Sequence, residues 1–178
     1  IDLIDPTFKY PSVLRGNIAW DRKLPFGLYH SAEFVWSLTQ NDIKYQNLNY
    51  VPSVTLVGVG GRPFFIKQVS SLSDVILLTN TTQGSNWTAS YEVRRPFRNG
   101  WYMTAAYSYN DARTVMDGTS DQAASTWGNV YVPGDPNNAP NVRSNSAAGH
   151  RITATASYDV NLIKGSKATI SMFYSGQS

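Results

Sequence analysis

Six stretches of this chain alternate apolar and polar residues with a period of two, and that pattern requires β-strands with two chemically different faces. The first runs from Leu14 to Asp21, with Leu14, Gly16, Ile18 and Trp20 against Arg15, Asn17, Ala19 and Asp21. The second, Leu28 to Thr39, sets Ala32, Phe34, Trp36 and Leu38 against Ser31, Glu33, Val35 and Ser37. In the third, Trp87, Ala89, Tyr91 and Val93 oppose Thr88, Ser90, Glu92 and Arg94. The fourth places Trp101, Met103, Ala105, Tyr107 and Tyr109 against Tyr102, Thr104, Ala106, Ser108 and Asn110. The fifth places Ile152, Ala154, Ala156, Tyr158 and Val160 against Arg151, Thr153, Thr155, Ser157 and Asp159. The sixth sets Ala168, Ile170, Met172 and Tyr174 against Thr169, Ser171 and Ser175, with Phe173 out of place on the polar side. No segment carries a helical period, so the expectation is an antiparallel all-β fold.

The connections alternate in length. Leu24 to Gly27, Arg95 to Gly100 and Ile163 to Ser166 read as tight turns, with Pro, Gly or Asn supplying the bend. Val51 to Asp74 and Met116 to Ala148 read as long loops. Short turns on one rim and long loops on the other is the asymmetry of outer-membrane β-barrels, short turns periplasmic and long loops extracellular.

Alternation by itself suits a soluble sandwich as well as a membrane barrel. Strand length favours the membrane: Leu28 to Tyr50 and Val75 to Arg94 read as continuous strands of about twenty residues, where soluble strands run about five or six and spanning strands need about nine to eleven. Composition agrees. Charged residues are 15% and aromatics 13%, with 11 Tyr and 5 Trp, against roughly 25% charged in an ordinary soluble domain. No apolar run approaches the ~18 residues of a spanning helix. Trp20, Trp36, Trp87, Trp101, Tyr109, Tyr158 and Tyr174 sit on the apolar face, most of them toward strand ends, as an aromatic girdle at the lipid interface does. Arg15, Asn17, Asp21, Glu33, Glu92, Arg94, Arg151 and Asp159 fall on the opposite face, which in a barrel is the lumen. They serve there as contacts for a plug or a passing solute, or as mutual ion pairs that keep charge away from lipid. Six strands are too few to enclose a transporter-sized lumen, and no initiator Met or signal peptide opens the chain at Ile1. The expectation is an internal fragment of a larger barrel, residues 1–178 forming part of its wall.

Several stretches resemble the barrel region of TonB-dependent receptors of the Oar-like group. They are Asn41 to Tyr50, Asp74 to Thr81, and above all Arg95 to Trp127, with Arg-Pro-Phe-Arg-Asn-Gly followed by Asp117-Gly-Thr-Ser and Gln122-Ala-Ala-Ser. His150-Arg151 before an alternating strand is similar too, although the acidic residue the family carries ahead of it is replaced here by Asn145 to Gly149. The likeness runs from about Pro11 to the last residue. It implies a barrel of roughly twenty-two strands in the bacterial outer membrane, a plug and a TonB box in segments outside this chain, and energy-coupled uptake of a solute. The residues themselves leave open a barrel for passive diffusion, secretion or adhesion, and a soluble β-sandwich that binds glycans.

Catalysis fits poorly. The chain has no Cys and two histidines, His30 and His150, placed near opposite rims, so no triad or thiolate metal site can be assembled. Val57 to Gly61 lacks the Lys and helix of a phosphate loop. A net charge of +3 without a basic cluster gives no nucleic-acid interface. No cofactor is implied. Arg62, Asp117, Asp121 and Asp135 are the extracellular-loop candidates; Asp117-Gly-Thr-Ser-Asp121 and Asp135-Pro-Asn-Asn offer oxygen ligands suited to Ca²⁺, but also read as solvated turns.

Overall fold

The alternating runs become long strands in the computed structural model, which describes every residue except 58–60, 131, 133, 164 and 165, and the backbone alone for 54–57 and 162–163. In chain order the elements are β1 (Asp2–Ile4), β2 (Ser12–Lys23), β3 (Tyr29–Asn47), β4 (Tyr50–Val57), β5 (Pro63–Lys67), β6 (Ile76–Thr81), β7 (Gly84–Arg98), β8 (Trp101–Thr114), α1 (Ala123–Asn129), β9 (Val142–Arg143), β10 (Gly149–Ile163) and β11 (Ser166–Gln177). The fold is predominantly β, and the six expected strands are β2, β3, β7, β8, β10 and β11. The chain divides into two compact units, residues 1–14, 38–85 and 113–145 in one and residues 15–37, 86–112 and 146–178 in the other.

The second unit is a meander in which β2, β3, β7, β8, β10 and β11 lie in sequence order. Its turns are set by local chemistry. Asn99 and Gly100 both adopt positive φ, 55° and 80°, the pair of conformations a two-residue hairpin needs to match the twist of its strands. The bend is therefore shorter than the expected Arg95 to Gly100, because β7 runs on through Pro96 to Arg98. A single 3-10 turn at Pro25–Gly27 joins β2 to β3. The expected turn between β10 and β11 falls on residues outside the described ones.

Register in this sheet is explicit for three strands. Arg151, Thr153, Thr155 and Ser157 stand opposite Ser108, Ala106, Thr104 and Tyr102 on β8, and opposite Gln177, Ser175, Phe173 and Ser171 on β11. Directly opposed residues share a face, so the polar parity is kept across all three strands, with Ala106 and Phe173 as its apolar members. The other parity aligns Ile152 with Tyr107, Ala154 with Ala105 and Tyr174, Ala156 with Met103 and Met172, and Tyr158 with Trp101 and Ile170. A slip of one residue would turn every one of these side chains to the wrong face. Among the described residues the strands do not close into a barrel.

The first unit departs further from expectation. β3 is 19 residues long, as its pattern required. Val75 to Arg94 is not one strand: it breaks at Thr82 and Gln83, leaving β6 and β7, with Gly84 at φ 148° and Thr39 Oγ1 2.5 Å from where its Cβ would lie. β1 pairs with β6 in parallel, so the fold is not purely antiparallel. The expected loop Val51 to Asp74 contains the antiparallel pair β4–β5, and the loop Met116 to Ala148 contains α1 and β9. At seven residues, α1 is too short to leave a periodic trace. This unit holds the apolar core: Val115, Met116 and Ala139 are buried, with Tyr45, Trp127, Val130 and Val132 packed against them.

Three asparagines tie these segments together. Asn47 is fully buried, 0% exposed. Its Oδ1 accepts the N–H groups of Asn49 and Val75, and its Nδ2 donates to Asp74 at 2.7 Å. Asn137 reaches back to the backbone of Asn47 with both ends of its amide, accepting from the N–H at 2.6 Å and donating to the C=O at 2.9 Å. Asn49 accepts from the Val69 N–H and donates to the Val69 and Leu72 carbonyls. Removing Asn47's amide strands buried donors. Asn47→Ala should cost about 2–4 kcal/mol, read as a shift in urea unfolding, with fast amide exchange appearing at Asn49 and Val75.

In the same unit, Asp5 organises the chain after β1. Thr7 donates to Asp5 Oδ1 through its hydroxyl at 2.7 Å and its N–H at 2.8 Å, and the hydroxyl bond first, the amide second, hold the carboxyl below its ordinary value. Such a group stabilises the fold above its unfolded pKa and loses that contribution as pH falls through the lower folded value. The turn closed by Phe8 N–H on the Asp5 carbonyl should therefore open only below about pH 4. Thr7→Ala should move that opening to higher pH, measured by amide exchange at Phe8.

Candidate functional site

The second unit is a single layer of sheet, and its two faces are its candidate sites. The apolar face is uncovered within that layer. Trp20 is 58%, Ile152 48% and Met172 73% exposed, and Leu14, Ile18, Phe34, Trp101, Met103, Tyr107, Tyr158, Ile170 and Tyr174 are exposed as well. Domains usually bury an apolar sheet face under a second layer.

Aromatic rings gather at the two ends of this face. At the end near Gly149, Trp36 stacks on Phe34 at 5.8 Å, Phe34 meets Trp87 at 5.9 Å, Trp87 meets Tyr109 at 5.2 Å, and Tyr109 meets His150 at 4.6 Å. Tyr107 adds a 2.7 Å hydrogen bond between its hydroxyl and His150 Nδ1. The row crosses β3, β7, β8 and β10. At the hairpin end, Trp101 packs on Tyr158 at 4.4 Å, and His30 sits between Trp20 at 4.6 Å and Tyr91 at 5.7 Å. The rows of Ala105 with Ala154 and Met103 with Ala156 lie between the Trp101–Tyr158 and Tyr109–His150 levels of β8 and β10.

All seven expected interface aromatics thus lie on one face, and six of them are drawn into ring contacts. The seventh, Tyr174, folds over Gly176, its hydroxyl 2.7 Å from where a Cβ would stand. Phe34, Tyr91, Tyr107, His30 and His150 also belong to these clusters, and strand parity was the signal for them. His30 shares its parity with Phe34 and Trp36, His150 with Ile152. His30 is buried with Nδ1 lacking a hydrogen-bond partner among the described residues.

The polar face carries two shallow concavities. One, of about 400 Å³, is lined by Ser31 and Glu33 of β3, Ser90 and Glu92 of β7, Ala106 and Ser108 of β8, and Arg151 and Thr153 of β10. The other, of about 560 Å³, is lined by Asp21, Lys23, Tyr29, Glu92 and Arg94 among others. Lys23 Nζ and Arg94 Cζ each lie 6.0 Å from the centre of the Tyr29 ring, at the limit of a cation–π contact. Glu33, Glu92, Arg94, Asp21 and Arg151 are thereby brought together across four strands. Arg15 and Asn17 are exposed on β2 and line neither concavity. Asp159 accepts a 2.7 Å bond from Thr169. Among the described residues Glu33, Glu92 and Arg151 form no ion pair.

The loop candidates lie in the first unit and do not converge. Asp117 accepts from the Ser144 hydroxyl at 2.5 Å and the Asn145 N–H at 2.8 Å. Asp135 accepts from the Asn137 N–H at 2.9 Å. Asp135 closes a local turn, and Asp117 ties its own segment to the Ser144–Asn145 segment 27 and 28 residues on. Asp121 receives a long 3.5 Å contact from Ser120, and Arg62 is exposed beside Gly61. Among the described residues no three acidic or imidazole groups gather to hold a metal.

No protein-family model, curated protein or solved structure matches this chain.

Gly16 shows how tightly the apolar face is assembled at its edge. A Cβ there would lie 2.3 Å from the Trp36 ring, so the indole covers the bare backbone of β2, a device that protects edge glycines. Gly16→Ala should cost about 1–3 kcal/mol by displacing the indole. The cost should vanish in a Trp36→Ala background, a coupling that a double-mutant cycle on chemical unfolding reads directly.

Proposed function

We propose that this chain forms part of the wall of a transmembrane β-barrel in the bacterial outer membrane. One observation carries the reading: a single layer of sheet leaves its apolar face open and bounds it with aromatic clusters at both ends, while the other face is lined with hydroxyls and charges. In water an uncovered surface of this size is costly, and monomeric soluble proteins rarely expose one. Acyl chains cover it without cost, and indole and phenol rings settle at the headgroup level on either side. A soluble glycan-binding sandwich would need a second sheet packed about 10 Å above this one, and among the described residues the unit has a single sheet.

Within that class we propose a TonB-dependent transporter of about twenty-two strands, of which this chain supplies about six. The support is the resemblance of Arg95 to Trp127, Asn41 to Tyr50 and Asp74 to Thr81 to Oar-like receptors. On this reading the polar face looks into the lumen. The pairs β4–β5 and β8–β9, with α1, form ordered loop structure on the extracellular side, where a solute is captured. A plug and the TonB complex, acting through segments beyond this chain, gate its passage.

Paired substitutions on adjacent residues of β10 test the orientation. Ile152→Arg should destabilise the bilayer-inserted protein by about 2–4 kcal/mol toward the midplane, while Thr153→Arg should be close to neutral. Brominated acyl chains should quench Trp fluorescence in the wild type. Absence of quenching, or equal cost for the two arginines, would overturn the membrane assignment.

A further inference from the structure

The 400 Å³ concavity on the polar face has a charge pattern that defines a ligand. Glu33 and Glu92 stand toward one side of it and Arg151 toward the other. Among the described residues none of the three side chains has an ion pair or a hydrogen bond. Opposite charges on one face that stay apart are available to something else. Ser90, Ser108 and Thr153 supply hydroxyls to the lining, together with Ala106 and the Tyr91 and Tyr107 positions. Hydroxyls both donate and accept, which matches the alternating N–H and C=O of a peptide backbone.

Spacing sets the length. Arg151 of β10 stands opposite Ser108 of β8, and β7 with Glu92 is the next strand beyond β8. Two strand spacings are about 10 Å. An extended chain advances about 3.3–3.6 Å per residue, so three residues span that gap. A guanidinium takes a carboxylate with two parallel hydrogen bonds, and a carboxylate accepts readily from an ammonium group. A solute of one sign would be repelled at one end. A neutral one would leave the charges displaced from water and unpaired.

We propose that this concavity binds a short zwitterionic peptide of about three residues, its amine held by Glu92 and Glu33 and its terminal carboxylate by Arg151. This deepens the transport reading by naming a class of solute for the lumen face.

Trialanine is the probe, titrated by calorimetry into the detergent-solubilised chain, alongside trialanine amide and N-acetyltrialanine. Arg151→Gln should weaken trialanine about tenfold or more and leave trialanine amide unchanged. Glu92→Gln should weaken trialanine comparably and leave N-acetyltrialanine unchanged. All of these side chains sit on an open face, and strand circular dichroism confirms that each variant is folded. Equal binding of free and end-blocked peptides, or no heat with trialanine up to about 10 mM, overturns the site. Lipid quenching is an independent readout. Quenching without trialanine binding removes the solute class and leaves the wall reading intact. Binding without quenching supports the peptide site and removes the wall reading.

Discussion

The register that keeps like faces together is the constraint on which the meander depends. With one layer of sheet there is no second layer to absorb a misplaced side chain. Each strand must present its apolar residues to the same side as its neighbours, and β8, β10 and β11 do so residue by residue. Phe173 is the exception, opposite Thr155 on the polar side. It lies on the outermost strand of the meander, where β10 is its only neighbour in the sheet. The ring contacts carry the same order onward through β7 and β3, and through Trp20 to β2.

The two units answer different physical demands. In the meander, backbone hydrogen bonds within the sheet hold the strands, and side chains stabilise through neighbour contacts on an open face. Burial contributes little there, since few of its large residues are covered. The other unit is stabilised in the ordinary way, by an apolar cluster around Val115 and Met116 and by buried amides. Asn47, Asn49 and Asn137 are costly to bury unless satisfied. Their side-chain amides bond to one another's backbone and to Val69, Leu72, Asp74 and Val75, and this converts long connecting segments into ordered structure.

These demands bear on the proposed role. A wall needs a surface matched to lipid on one side and to water on the other, and alternation at period two supplies both from one strand. A receptor also needs loops that hold a shape. Asp135 closes a local turn through the Asn137 N–H, and Asp117 joins two distant segments through Ser144 and Asn145, so both carboxylates are committed to architecture. On the sheet, among the described residues, the side chains of Glu33, Glu92 and Arg151 have no ion pair.

Strand identity and the division of residues between faces were legible in the amino-acid sequence, because a period of two records a side chain's face directly. The hairpin at Asn99-Gly100 was legible as a turn, though its extent was not: Arg95 to Arg98 looked like part of the turn, and only pairing with neighbours extends β7 to Arg98. The parallel contact of β1 with β6, the break at Thr82 and Gln83, the β4–β5 pair and the short helix α1 were decided by tertiary structure. Each depends on partners distant in the chain or is too short to leave a period. The same holds for the buried asparagines. An Asn in a polar segment looks like a solvated turn residue until another part of the chain arrives to accept its hydrogen bonds. The sequence alone determined which side chains share a face; the tertiary structure decided which of them touch, because contact depends on register and on long-range pairing that no local pattern encodes.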